Sequence, residues 1–178
     1  MTELLQKKAT VTMEQPKVRR VCFVCTGNTC RSPMAEAVTN ALAHRLRESL
    51  LETRKDSGVP SVEAFSAGLY AVEGDPIAEN AIRALENAGI VPIAGHDYRM
   101  HTAHTLTAED AAQFDLLIGL GGGHVMELMM RFPQLAQRIT CMPKSIPDPF
   151  GGDLSTYAAC LEEIIDGVKT LLFAGDAL

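Results

Sequence analysis

Hydrophobic and polar positions along this chain switch repeatedly between two rhythms. From Val18, VRRVCFV is a short apolar run rich in β-branched residues, and the Gly27-Asn28 turn chemistry after it predicts a buried strand. The spacing then becomes helical: Met34, Ala37, Val38, Ala41, Leu42 and Leu46 share one stripe, with Pro33 suited to the first helical position and Ser32 to the cap. ETRKDSGVP reads as a loop, and VEAFSAG as a second strand closed by Gly68. DPIAENAIRALENAG carries helix start and stop signals in Asp75-Pro76 and Gly89. Val91 to Leu106 has no clear rhythm and is long for a loop in a compact domain.

TAED opens a short helix, with Thr107 as cap and Asp110 at the third helical position. DLLIGL predicts a third strand, GHVMELMMRF a helix and RITCM a fourth strand. KSIPDPFGGD is too rich in proline and glycine for either. Tyr157, Leu161, Ile164, Ile165, Val168, Leu171 and Leu172 form the face of a closing helix. Strands alternating with helices predict an α/β fold with a mostly parallel, helix-covered sheet. Residues 1–16 are expected to be a peripheral tail and 17–178 one domain. In such sheets ligands sit at the carboxyl ends of strands. VCTGNTCRSP occupies that place after the first strand, and SIPDPFGG after the fourth.

Composition narrows the function. A net charge of -6 argues against a general nucleic-acid or membrane-surface binder, although a small basic pocket is compatible with it. No apolar stretch is long enough for a membrane span, and the N-terminal stretch lacks a signal peptide's apolar core, so a cytoplasmic home is expected. Five cysteines without framework spacing are expected to be thiols there.

Cys25 to Arg31 reads C-x5-R, with Ser32 following at a helix start. Such a loop can wrap its backbone N–H groups, Thr26 to Arg31, around a tetrahedral anion, while the helix dipole adds positive potential. Arg31 supplies a planar fork for two phosphate oxygens. That field favours the thiolate of Cys25, placing a nucleophile where it can attack phosphorus. Gly27 and Asn28 tolerate left-handed turns, and Ser32 can donate a hydrogen bond to the sulfur.

VCTGNTCRSP, from Val24 to Pro33, resembles the signature of the low-molecular-weight protein phosphatases, V-C-x-G-N-x-C-R-S-P. MAEA, SAGL, GDPIAENAIRALENAGI and PDPFGGD follow in the family's order, so the similarity covers roughly residues 18–173. It implies a three-layer sandwich around a four-stranded parallel sheet, a phosphocysteine intermediate on Cys25, and no metal or other cofactor. It implies phosphorylated proteins as substrates, and phosphate or other oxyanions as pocket ligands. By the same resemblance Asp148, before Pro149, is the general acid and then the base, and Cys30 can trap Cys25 as a reversible disulfide. Packing against the loop is the other reading of Cys30, and an ordinary turn aspartate that of Asp148.

Tyrosine-specific members usually follow Asp-Pro with two aromatics, whereas this chain has Phe150, Gly151 and Gly152. Thr29 stands where those members typically carry isoleucine. Both features are similar to the bacterial protein arginine phosphatases, so phosphoarginine is favoured over phosphotyrosine, with Phe150 at the pocket entrance.

Thioredoxin-coupled arsenate reductases share this fold and are the nearest rival. They need a further cysteine pair after the third strand, where this chain has GLGGGHVMEL, and usually carry glutamine in place of Pro33. A nucleotide-binding module is the outsider: in GLGGGH, His124 replaces the last glycine of G-x-G-x-x-G. Cys22-x-x-Cys25 mimics a redox or zinc motif, but strand alternation sends the two thiols to opposite faces. Cys141 and Cys160 read as buried small hydrophobes, and Tyr157 as core before regulatory site. His96, His101, His104 and His124 read as surface or capping residues rather than ligands.

Overall fold

The computed structural model describes residues 18–53 and 61–174; the expected tail, residues 1–16, lies outside them. Its sheet has four strands in the order β2-β1-β3-β4, all parallel: β1 (Arg19–Cys25), β2 (Val62–Gly68), β3 (Leu116–Gly119) and β4 (Ile139–Cys141). The helices are α1 (Arg31–Thr53), α2 (Glu79–Asn87), α3 (Ala108–Ala112), α4 (Gly122–Arg131) and α5 (Leu154–Leu172).

Central placement explains why β1 is apolar on both faces. Val21, Phe23 and Cys25 point into a cluster with Met34 and Val38 of α1, Leu85 of α2 and Ile164 and Val168 of α5. Cys22 and Val24 point the other way, onto Leu117, Leu128 of α4 and Phe132. Each such aliphatic side chain taken out of water contributes about 1.5–3 kcal/mol. The alternation separates Cys22 from Cys25, and burial raises the Cys22 thiol well above the ordinary range, as the core reading of that residue expects. Tyr157 is likewise buried.

The chain leaves β1 for β2 on one side and returns to β3 on the other. The crevice where order reverses is therefore at the carboxyl end of β1. Helix α1 begins at Arg31, two residues before the expected Pro33 start. Ser32 thus lies in the first turn and its hydroxyl faces the loop rather than capping the helix. Helix α2 also differs, beginning at Glu79 instead of Asp75. Proline withdraws the preceding residue from helical backbone, and this segment pairs outward instead: Pro76 bridges Thr102, and Ala103 N–H donates to Asp75 O at 2.7 Å. Residues 91–106 consequently have structure of their own, including a 3-10 turn at Tyr98–Met100. The expected capping box at Thr107 and Asp110 is present.

Strand β2 is an edge strand, and the buried Asn40 of α1 serves as its missing neighbour. Its amide accepts from Ala64 N–H and donates to Ala64 O, both at 2.9 Å. Asn40→Leu should strand both groups, at roughly 1–3 kcal/mol each. A urea titration is expected to show a lower midpoint with an unchanged slope; an unchanged midpoint would mean that Ala64 finds other partners.

Candidate active site

Five residues, Thr26 to Cys30, join β1 to α1. Their carbonyls are taken from outside: Cys25 O accepts from Leu69 N–H at 2.9 Å, Thr26 O from Tyr70 N–H at 2.9 Å, and Thr29 O from Ala78 N–H at 2.8 Å. Asn28 O accepts from His101 Nε2–H at 2.8 Å. A trans peptide points its C=O and N–H in opposite directions. Anchoring these carbonyls outward therefore turns the N–H groups of Thr26, Gly27, Thr29 and Cys30 inward. The loop becomes a concave row of donors at the start of a helix.

Asn28 holds this shape. It is fully buried and has φ of 56°, the left-handed region that asparagine tolerates. Its Nδ2 donates to Ser32 Oγ at 2.9 Å and to Ser66 Oγ at 3.0 Å, while Oδ1 accepts from His104 N–H at 3.1 Å. Gly27 does not share the left-handed conformation expected of it, and a Cβ there would meet only Thr29 Oγ1, at 3.8 Å.

Cys25 is buried at the end of β1, with Sγ 3.0 Å from Ser32 Oγ. Because Ser32 already accepts from Asn28, its own hydrogen is left for Cys25 or for Ala67 O at 3.4 Å. Arg31 lies 8% exposed; its Nη2 donates to Asp148 Oδ2 at 2.7 Å and its Nη1 to Ile146 O at 3.4 Å. Its Nε is buried without a partner. Asp148 is half-exposed and also accepts from Phe150 N–H at 3.2 Å. Asn80 Nδ2 donates to Gly152 O at 3.2 Å, and Cys160 Sγ to Pro147 O at 3.5 Å, so the Asp148 loop is tied to α2 and α5. Burial pushes the Cys160 thiol up to about 12.

The structure thus gathers Cys25, Thr26, Gly27, Asn28, Thr29, Cys30, Arg31, Ser32 and Asp148 around one crevice, with Phe150 79% exposed on the Asp148 loop. Cys30 Sγ lies 3.1 Å from Tyr157 Oη and 3.6 Å from Thr29 Oγ1, and both Cys25 and Cys30 are thiols. Cys141 is partly exposed, unlike the buried residue expected.

Of the histidines read as surface or capping residues, His104 is exposed, whereas His96, His101 and His124 are partly buried. His101 and the backbone of His104 brace Asn28. His124 Nε2 lies 3.2 Å from Thr26 Oγ1, and burial together with the Arg31 charge lowers its pKa, against a smaller opposing effect of Asp148. The available signal was positional: His124 opens a helix directly after β3, on the ligand-bearing edge of the sheet. Among the described residues, no group of three His, Cys, Asp or Glu side chains is arranged to hold a metal ion.

Over residues 20–177 the sequence matches the family described as low molecular weight phosphotyrosine protein phosphatase. The chain is similar to a protein-arginine-phosphatase of Geobacillus stearothermophilus, 33% identical over 152 residues covering 82% of this chain and 88% of that one. A crystal structure of a low molecular weight protein tyrosine phosphatase from T. tengcongensis superposes with a TM-score of 0.74 at 32% identity, covering 88% of this chain and 99% of that one. An arginine phosphatase mutant with a phosphorylated active-site serine gives 0.72 at 26% identity, covering 87% and 94%. The chain belongs to the low molecular weight phosphotyrosine protein phosphatase family.

The Asn28 network continues outward: Ser66 Oγ donates to Glu36 Oε2 at 2.6 Å, and His96 lies between Glu36 and Glu63 at 3.7 and 3.2 Å. Its pKa is raised, chiefly by the hydrogen bond to Glu36, with burial opposing. A raised folded value means stabilisation that is complete below the unfolded pKa, about 6.5, and lost as pH rises through the folded value. His96→Gln should therefore lower the urea midpoint most in mildly acidic buffer, with the gap from the parent narrowing as the pH rises. A gap independent of pH would show that the His96 charge contributes nothing.

Proposed function

We propose that this family member hydrolyses phosphoarginine in proteins, through a phosphocysteine intermediate on Cys25. The observation that carries the reading is the Arg31–Asp148 pair, 2.7 Å apart, beside a row of inward N–H groups, with Arg31 Nε buried and unpartnered. A phosphoryl group seated in the loop supplies the acceptor that Nε lacks and competes with Asp148 for the guanidinium. Asp148 then faces a like-charged phosphoryl group instead of a cation, and the acid role requires it to carry a proton at that moment.

The steps balance. Cys25 sulfur attacks phosphorus as the bond from phosphorus to the leaving nitrogen breaks, and Asp148 delivers its proton to that nitrogen. Asp148 then takes a proton from a water molecule whose oxygen attacks phosphorus. The S–P bond breaks, the thiolate is restored and inorganic phosphate departs. The inward N–H groups and Arg31 hold the equatorial oxygens, where charge develops. The Ser32 hydroxyl steadies the thiolate each time it forms. Cys30 shapes the loop wall; to close a disulfide with Cys25 its thiol must first leave Tyr157.

Phosphoarginine is preferred to phosphotyrosine because Thr29 brings a hydroxyl to the loop and Asp148-Pro149 is followed by one aromatic, Phe150, and then Gly151 and Gly152 rather than by two aromatics. Similarity to a protein named for arginine phosphatase activity supports the same choice. Arsenate reduction lacks its relay: where that activity needs a further cysteine pair after the third strand, this chain has GLGGGHVMEL. A cytoplasmic setting fits the five free thiols and the absence, among the described residues, of a helix long and apolar enough to cross a membrane.

Phosphate release from phosphoarginine and phosphotyrosine peptides, measured side by side, tests the assignment. Cys25→Ser should reduce both to background while the circular dichroism spectrum is retained; substantial residual turnover would remove Cys25 as nucleophile. Thr29→Ile is expected to move the kcat/KM ratio toward phosphotyrosine by about tenfold, roughly 1.4 kcal/mol of differential transition-state binding. An unmoved ratio would show that Thr29 does not select the leaving group.

A further inference from the structure

The steps above leave two polar side chains at the crevice unused. Thr26 follows the nucleophile and is exposed, with Oγ1 3.2 Å from His124 Nε2. The His124 ring is half-buried and its Nδ1 is enclosed with no hydrogen-bond partner. Gly121 makes room for Ser145, whose Oγ would lie 2.8 Å from a Cβ there, and such a Cβ would touch His124 Nδ1 at 3.8 Å, an ordinary contact. The ring is close enough to Arg31 and Asp148 to feel both charges, and burial with Arg31 favours its neutral form. Through Thr26 it stands beside the first residue of the loop that follows Cys25.

We propose that Thr26 and His124 form a hydrogen-bond-accepting wall that reads the guanidino N–H groups of the substrate, with Thr26 Oγ1 touching them and His124 positioning that hydroxyl. The inference rests on the phosphoarginine reading. A phosphoguanidino group has N–H donors on its bridging nitrogen and on its terminal nitrogens, whereas the bridging oxygen and ring of an aryl phosphate have none. A wall that tells them apart must offer lone pairs. Thr26 Oγ1 does so in either neutral tautomer of His124. If the hydroxyl donates to Nε2, both oxygen lone pairs stay open; if Nε2–H donates to the hydroxyl, one does. Neutrality of the ring matters equally, because an imidazolium would place a second cation beside Arg31 and repel a guanidinium.

The test compares kcat/KM on phosphoarginine and phosphotyrosine peptides for the parent, Thr26→Val, His124→Phe and His124→Gln, with thermal melts to confirm folding. Both Thr26→Val and His124→Phe are expected to lose about fivefold to tenfold more on phosphoarginine than on phosphotyrosine, the size of one hydrogen bond. His124→Gln, which still offers Thr26 an amide partner, should recover part of that difference. Equal losses on the two substrates would make the pair a structural brace and overturn the proposal, as would no loss on either. A parent enzyme that cleaves phosphotyrosine but not phosphoarginine would overturn the functional reading itself. The result is thereby distinct from a failure of the wall alone.

Discussion

The buried side-chain amide of Asn28 braces the turn between β1 and α1. Asn28 spends both side-chain donors on Ser32 and Ser66 and accepts from the backbone of His104, while its own carbonyl is anchored by His101. A left-handed residue at the centre of a five-residue turn is unfavourable in isolation, and these bonds offset it. Together with the N–H groups of Leu69, Tyr70 and Ala78 they commit the carbonyl edge of the loop outward, which leaves the donor edge for an anion. Binding then requires little rearrangement of the backbone, since the dipoles are already aimed before the ligand arrives.

Much of the fold was legible in the sequence because periodicity reports burial directly. The doubly buried β1, the stripe of α1 and α5, and the capping box at Thr107 all follow local rules. What escaped was set by partners distant in sequence. Ser32 has the chemistry of a cap, yet Asn28 and Cys25 claim its hydroxyl and the helix starts earlier. Asp75-Pro76 has the chemistry of a helix start, yet Thr102 and Ala103 draw it into a bridge.

The site divides along the same line. Cys25, Arg31 and Ser32 stand within one contiguous motif, and Asp148 is marked by its Asp-Pro-Phe-Gly-Gly setting. His101 and His124 stand in no such motif, and position after β3 is the one hint that His124 offers. Only the sheet order, which brings the end of β3 beside the end of β1, makes His124 a neighbour of Thr26.

The contact between Arg31 and Asp148 has a kinetic meaning as well as a structural one. In the proposed mechanism, a carboxylate tethered beside the Arg31 guanidinium is an internal competitor for the anion seat, present at a fixed effective concentration. In the proposed cycle Asp148 regains that role once it gives up the proton taken from water, and unlike a free ion it never diffuses away. Inorganic phosphate, deprived of the peptide contacts that helped the substrate displace that competitor, meets it on worse terms. On that mechanism the enzyme carries its own means of clearing product from a pocket built to hold it.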